Sequence, residues 1–115
     1  MKRGTIILTP FPFTDLSKNK VRPALIVSSN NRKDNDVIIA FISSVVEPDN
    51  LTQTDILLDS KDIIFKETGL KTTSVIRTEK LATIDKKIIL GELGSIDKQF
   101  MNRIDENLKI VLDLI

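Results

Sequence analysis

The 115-residue sequence contains no histidine, cysteine, tryptophan or tyrosine, and its five phenylalanines are its only aromatic residues. Without cysteine there is no disulfide, no thiolate nucleophile and no cysteine-type zinc site, and without histidine the usual transition-metal ligands are missing. A hard cation held by carboxylates is the one metal site that this composition still allows. The serine and cysteine triads and histidine-based ribonuclease chemistry each need an imidazole. Acid–base chemistry must therefore come from Asp, Glu, Lys or Arg.

Long hydrophobic runs are also lacking. The apolar segment at residues 5–9 ends at Pro10 and is too short for a signal-peptide core or a membrane span, and no other segment approaches that length. No membrane association is expected, and the absence of cysteine fits a reducing cytoplasm, which is the predicted location. The apolar fraction of 41% and the charged fraction of 29% are ordinary for a globular protein. Without repeats, linkers or low-complexity tracts, residues 1–115 are predicted to form a single domain.

The net charge of +1 conceals an uneven distribution along the chain. Residues 1–46 carry seven Lys and Arg against three Asp and Glu, and residues 66–91 carry six against three. Residues 47–65 carry one basic residue against five acidic ones, and residues 92–115 carry three against five. If the two basic segments meet in the fold, they form a positive face that attracts phosphates. Solvated surface charge is the plainer alternative.

Short β-branched runs separated by turn-forming residues predict a mainly β protein. Strands are predicted at residues 5–9, 24–28, 36–46, 54–59, 74–83 and 87–90, with a packed loop at 11–20 and a helical turn within 60–68, before Gly69. The strand at 74–83 places Val75 and Leu81 inside only if a bulge shifts its register.

The C-terminal segment has helical periodicity instead. Ser95 is a candidate helix cap and Asp97 suits the first turn, whereas apolar residues recur at Phe100, Ile104, Leu108, Val111 and Ile115. The predicted fold is therefore a small, strongly bent antiparallel sheet or barrel with a C-terminal helix docked on it.

Three segments carry candidate chemistry. Arg22 precedes Pro23, which keeps it extended at the entrance of a buried strand. Ser43 and its neighbour Ser44 put two hydroxyls at the end of the longest strand. Arg77 and Glu79 lie two residues apart, so strand alternation places a cation and a carboxylate on one face. Each feature alone also has a structural explanation, such as a surface ion pair or a strand-end turn.

The set as a whole resembles the PemK/MazF family of toxins from bacterial type II toxin–antitoxin systems. The resemblance rests on Gly4 to Leu8, the Phe11-Pro12-Phe13-Thr14-Asp15 loop, Arg22 to Ser28, Gly69-Leu70-Lys71, Ser74-Val75 and Thr83 to Lys86. It implies an SH3-like barrel of the CcdB/MazF type that forms a homodimer. It also implies metal-independent cleavage of single-stranded RNA, chiefly mRNA, at short sequences, without a cofactor. A cognate antitoxin, whose disordered tail occupies the RNA groove, is the implied partner, and the toxin–antitoxin complex is expected to bind DNA.

The resemblance also implies roles for individual residues. Arg22 matches the family's catalytic arginine, Ser43 stands where most members have a catalytic threonine, and Arg77 and Glu79 match an arginine and an acidic residue that act as acid and base in some members. Lys80 and Ala82 stand where many members have glutamine and arginine. The expected RNA-binding residues are Thr14, Asp15, Ser17, Lys18, Lys20, Pro23, Ser44 and Lys80. Phe11 and Phe13 are candidates either for base stacking or for the core.

The chemistry of RNA cleavage is compatible with the missing imidazole. RNA supplies its own nucleophile, the 2′-hydroxyl, so the protein needs a base, a donor for the leaving 5′-oxygen and positive charge on the phosphorane. We assign Glu79 as the base, Arg22 and Arg77 to the phosphorane charge, with one of them donating to the leaving oxygen, and Ser43 to orienting the phosphate. The alternative is a non-catalytic or degenerate family member that binds antitoxin, RNA or a protein target such as gyrase.

Overall fold

The computed structural model describes residues 1–10 and 20–114. Six strands form one antiparallel sheet in the order β4-β5-β3-β2-β1-β6, which curls into a half-barrel. The strands are β1 (Thr5–Pro10), β2 (Val21–Ile26), β3 (Asp36–Ser43), β4 (Asp55–Leu58), β5 (Ser74–Asp85) and β6 (Gly91–Ser95), and the helices are α1 (Phe65–Thr68) and α2 (Lys98–Val111). Two short 3-10 turns lie at Pro48–Asn50 and Lys86–Ile88. The predicted β architecture with a C-terminal helix is therefore confirmed.

Alternating strand residues supply two apolar clusters. Ile6, Leu25, Ile42 and Ile76 lie in the cluster that packs against α2, where Ile104 is fully buried. The second cluster is built from the neighbouring positions of the same strands and contains Ile7, Ala24, Ile26, Val37, Ile39, Phe41 and Ile84. Both clusters draw on β1, β2 and β3, because consecutive side chains of a strand point to opposite faces. Within residues 1–10 and 20–114, no helix has the length and hydropathy needed to cross a membrane.

The longest strand pairing, between β3 and β5, contains the expected irregularity. Ala40 pairs with Leu81, but the next residue, Phe41, pairs with Arg77, so residues 78–80 are additional on the β5 side. This bulge is the register shift that the sequence analysis associated with the strand. Val75 is fully buried, and Leu81 is half-buried against the core, as predicted.

Two boundaries of the correctly predicted strands differ from the sequence prediction by three residues, and their other boundaries differ by two or fewer. β2 begins three residues earlier, at Val21, because Pro23 pairs with Leu8 of β1 before the pairing with β3 starts at Ala24. A proline fits where a strand has a partner on one side only, since it has no N–H to donate. β3 ends at Ser43 rather than Val46, because the Ser43 hydroxyl accepts the Val45 N–H at 3.1 Å and turns the chain.

The predictions for residues 87–90 and for the helix cap are wrong. The Asp85 carboxylate accepts the Lys87 N–H at 2.9 Å and starts a 3-10 turn. The last strand is instead β6, which pairs with β1 and contains Ser95 opposite Thr5. Because Ser95 belongs to this strand, Asp97 caps α2, and its carboxylate accepts the Phe100 N–H at 2.9 Å.

The helical turn predicted within residues 60–68 is present as α1. It ends at Gly69, whose φ of +70° is the left-handed conformation that glycine adopts readily. Gly94 of β6 lies against this turn, and a Cβ built there would stand 2.1 Å from the Glu67 carbonyl oxygen. A side chain at this position would therefore push α1 away from β6.

Candidate active site

A cleft of about 120 Å³ lies where β2, β3 and β5 meet. The described residues that line it are Arg22, Phe41, Ile42, Ser43, Ser44, Val45, Arg77 and Lys80. Three of the four predicted catalytic residues, Arg22, Ser43 and Arg77, are therefore brought together. Lys80 and Ser44, which were predicted to bind RNA, join them.

Strand register explains why these residues meet. Ala24 of β2 pairs with Phe41 of β3, so continuing that register by two residues places Arg22 beside Ser43. Phe41 in turn pairs with Arg77 of β5. Positions two apart on a strand share a face. Arg22, Ser43 and Arg77 consequently line the same cleft, although Arg22 and Arg77 are more than fifty positions apart in the sequence.

Charge pairing distinguishes the cations of the cleft. The ion pairs between described residues are Arg3–Asp105, Arg32–Asp34, Arg77–Asp55 and Lys109–Glu106. Arg22 and Lys80 are exposed and belong to none of these pairs in the part of the chain that the structure describes. Arg77 is already bonded to a carboxylate. Arg22 and Lys80 are thus the cleft cations with the greatest capacity to bind an incoming phosphate.

Glu79 is placed differently from the other three predicted catalytic residues. It lies within the bulge, it is exposed, and it is not among the residues that line the cleft. Its carboxylate accepts a hydrogen bond from the Thr54 hydroxyl at 2.9 Å. The bulge interrupts the regular alternation that predicted a shared face for Glu79 and Arg77. Glu79 is bonded to Thr54, just before β4, whereas Arg77 is bonded to Asp55, the first residue of β4.

Two residues that the sequence did not single out contact the site. The Asp55 carboxylate lies 3.3 Å from the Arg77 guanidinium, and its side chain is only 3% exposed. Thr54, the partner of Glu79, is also buried. In the sequence, Thr54 and Asp55 are a polar pair in front of the apolar residues 56–58. Such a pair does not by itself reveal which residues of the neighbouring strand it contacts.

The remaining predicted RNA-binding residues fall into two groups. Pro23 and Ser44 line a groove next to the cleft, together with Leu8, Gly69, Leu70, Lys71, Thr72, Ser74 and Leu93, and Lys20 is exposed just before β2. Phe11, Phe13, Thr14, Asp15, Ser17 and Lys18 lie outside the described residues, as does Ile115 of the helical stripe. In the parts of the chain that are described, no three acidic side chains gather in a way that would hold a metal ion.

The fold and the cleft together define a small curled-sheet protein with a cleft lined by arginine and serine side chains. The chain belongs to the PemK-like, MazF-like toxins of type II toxin–antitoxin systems, whose sequence pattern it matches over residues 2–112. The resemblance noted in the sequence is thereby confirmed.

Individual relatives agree with this assignment. The chain is 30% identical over 118 residues to the endoribonuclease EndoA of Bacillus subtilis (strain 168), covering 100% of this chain and 97% of that protein. A mycobacterial endoribonuclease in complex with its cognate antitoxin is similar in structure, with a TM-score of 0.77 at 22% identity and coverage of 100% and 97% of the two chains. The Mycobacterium tuberculosis toxin MazF-mt6 matches with a TM-score of 0.72 at 19% identity, over 95% and 96% of the two chains. At these identities the two structures support the fold alone.

Proposed function

We propose that this protein is the endoribonuclease toxin of a type II toxin–antitoxin system and that it cleaves single-stranded RNA, chiefly mRNA, without a metal. The observation that carries the proposal is the cleft in which Arg22, Ser43 and Arg77 meet. Membership of the toxin family and full-length similarity to an endoribonuclease favour catalysis over the alternative of a non-catalytic binding module. Loss of mRNA would inhibit translation and arrest growth.

The proposed reaction is an internal transesterification. Glu79 removes the proton from the RNA 2′-hydroxyl, whose oxygen attacks the adjacent phosphorus, and the bond to the 5′-oxygen breaks. The leaving 5′-oxygen takes up a proton, and the products are a 2′,3′-cyclic phosphate and a 5′-hydroxyl. No external nucleophile is consumed, which suits a chain without histidine or cysteine.

The cleft residues supply charge stabilisation, a proton for the leaving oxygen and orientation of the phosphate. Arg22, exposed and outside the ion pairs of the described chain, binds the equatorial oxygens of the phosphorane, where charge-assisted hydrogen bonds are strongest. Arg77, held by Asp55, shares this charge and donates to the leaving oxygen. Ser43, at the end of β3, orients the scissile phosphate through its hydroxyl. Lys20, Pro23, Ser44 and Lys80 contact the neighbouring nucleotides in this proposal. It also includes Thr14, Asp15, Ser17 and Lys18, which lie outside the described residues.

The proposed partners are a cognate antitoxin and a second copy of the chain. Solved relatives include an endoribonuclease with its cognate antitoxin and a MazE-MazF structure from Deinococcus radiodurans, which has a TM-score of 0.75 at 14% identity. We propose that the antitoxin's disordered tail covers the cleft described here, that the toxin is a homodimer, and that it acts in the cytoplasm, where its RNA substrate is found. Sedimentation of the purified toxin tests the homodimer, and competition between antitoxin and RNA tests the shared site.

The decisive experiment is cleavage of a long single-stranded RNA by purified protein in excess chelator. Mapped cuts at a recurring short sequence, with cyclic-phosphate and 5′-hydroxyl ends, are expected. A substrate carrying a 2′-deoxy nucleotide at the cut site must resist cleavage, because it lacks the nucleophile. An Arg22→Ala preparation controls for contaminating nucleases. Absence of cleavage, or equal cleavage by the Arg22→Ala protein, contradicts the proposal and leaves a binding function.

A further inference from the structure

The residues at the beginning of β4 join the two groups proposed as acid and base. The Thr54 hydroxyl donates to the Glu79 carboxylate at 2.9 Å, and the Asp55 carboxylate lies 3.3 Å from the Arg77 guanidinium. These two bonds come from consecutive residues and reach two residues that are separated by a single position, Thr78. Neither Thr54 nor Asp55 lines the cleft itself.

Both residues are firmly anchored. The Thr54 carbonyl accepts the Thr78 hydroxyl at 2.7 Å and the Asn107 side-chain amide at 3.0 Å, so it is bonded to both β5 and α2. The Asp55 carboxylate accepts the Thr52 N–H at 3.1 Å, and Asp55 pairs with Arg77 in the β4–β5 ladder. Buried polar groups of this kind hold fixed positions, because leaving any of them without a partner is unfavourable.

The bulge makes this anchoring necessary. Residues 78–80 have no pairing with β3, so the β3–β5 ladder does not set the direction of the Glu79 side chain. A regular strand would present Arg77 and Glu79 side by side, where a guanidinium and a carboxylate bind each other. The bond from Asp55 occupies the Arg77 guanidinium, whereas the bond from Thr54 occupies one carboxylate oxygen of Glu79. The two groups are thereby kept apart and oriented.

We infer that Thr54 and Asp55 are positioning residues for the acid–base pair, with Thr54 orienting Glu79 and Asp55 orienting Arg77. This inference rests on the proposed function. A hydrogen bond from a hydroxyl fixes the direction of the carboxylate that accepts it, and a general base must face the proton that it removes. Asp55 balances the charge of Arg77 and prevents Arg77 from capturing the base. The connection through Asn107 makes the position of α2 part of the geometry of the active site.

Other charged groups surround this arrangement. Arg77 and Lys80 flank Glu79 on β5, and Asp55 lies on β4. From α2, Arg103 and Glu106 line a polar pocket that also includes Asp55. Because Thr54 is uncharged, replacing it leaves all of these charges in place.

The experiment compares Thr54→Val, Thr54→Ser and Asp55→Asn with the wild type in the RNA cleavage assay. Thr54→Val removes the donor while preserving shape, and we expect kcat to fall about tenfold or more, with little change in KM. Thr54→Ser restores the hydroxyl and should recover most of the rate.

Asp55→Asn tests the second bond. We expect kcat to fall about tenfold while KM for RNA stays constant or decreases, because the cleft becomes more positive when a carboxylate is removed. General structural damage would instead lower the folded fraction and leave kcat per folded molecule unchanged. Rates are therefore expressed per folded molecule, determined by circular dichroism.

Two matched controls exist in the same chain. Thr83→Val makes the same replacement at an exposed site on β5, and Asp105→Asn breaks the pair with Arg3 on α2. Both are expected to cleave RNA at the wild-type rate. A wild-type kcat in both Thr54→Val and Asp55→Asn, beside an active wild type, overturns the positioning role alone. A wild type that does not cleave overturns the proposed function and the positioning role with it.

Discussion

The two arginines of the cleft differ in what their removal does to stability, and this difference provides a quantitative test of the site. Arg77 is bonded to Asp55, whose side chain is 3% exposed, whereas Arg22 is exposed and has no ion-pair partner among the described residues. Arg77→Ala leaves a buried carboxylate without its cation. Arg22→Ala removes a side chain that forms no ion pair with any other described residue.

The magnitude follows from burial. Removing one partner of a fully buried ion pair destabilises a protein by about 3–5 kcal/mol. The Arg77 side chain is 32% exposed, so water already weakens this pair, and we expect a loss of about 1–3 kcal/mol. Arg22→Ala is expected to change the free energy of unfolding by no more than about 0.5 kcal/mol. RNA cleavage should be lost in both variants. Only Arg22→Ala should lose cleavage while keeping a nearly wild-type free energy of unfolding.

Urea unfolding followed by circular dichroism measures the difference. With an m-value of about 1–3 kcal/mol per molar urea, a loss of about 2 kcal/mol in Arg77→Ala lowers the midpoint by about 1 M. The double variant Arg77→Ala/Asp55→Ala removes the stranded carboxylate as well and should recover part of the loss. Equal midpoints for the Arg22→Ala and Arg77→Ala proteins, or a double variant less stable than Arg77→Ala, would refute the assignment of a structural ion pair to Arg77.

Three further outcomes are expected from single substitutions. Ile104→Ala leaves a cavity under α2 and should destabilise the protein by about 2–5 kcal/mol, against about 0.5–1.5 kcal/mol for Ile104→Val, as measured by thermal unfolding; equal effects would contradict the observed burial. Asp97→Ala removes the cap of α2 and should lower stability by about 1 kcal/mol, whereas Ser95→Ala, in β6, should not affect helix content measured by circular dichroism. Lys80→Ala should weaken RNA binding and reduce the slope of log affinity against log salt by about 0.7, the share of one phosphate contact on a single strand; an unchanged slope would place Lys80 away from the phosphates.

Much of the fold follows from local sequence patterns. The β-branched runs predicted five of the six strands, and the spacing of Phe100, Ile104 and Leu108 predicted α2, because side-chain periodicity reports directly which face of an element is buried. β6 was missed because its sequence, Gly91 to Ser95, has two glycines and only one large apolar residue. Pairing with β1 and close contact with α1 make it a strand, and neither is visible locally.

By itself the sequence indicated the family and most of the described residues that line the cleft. The resemblance to the toxin family implied a reaction in which the substrate supplies the nucleophile and the protein supplies charge, and the missing imidazole and thiol are compatible with it. Only the tertiary structure decided how Arg77 and Glu79 are held. The pairing of β4 with β5 brings Asp55 to Arg77, and the bulge directs Glu79 to Thr54. Such contacts join residues more than twenty positions apart, and their geometry depends on strand register, which local patterns do not specify.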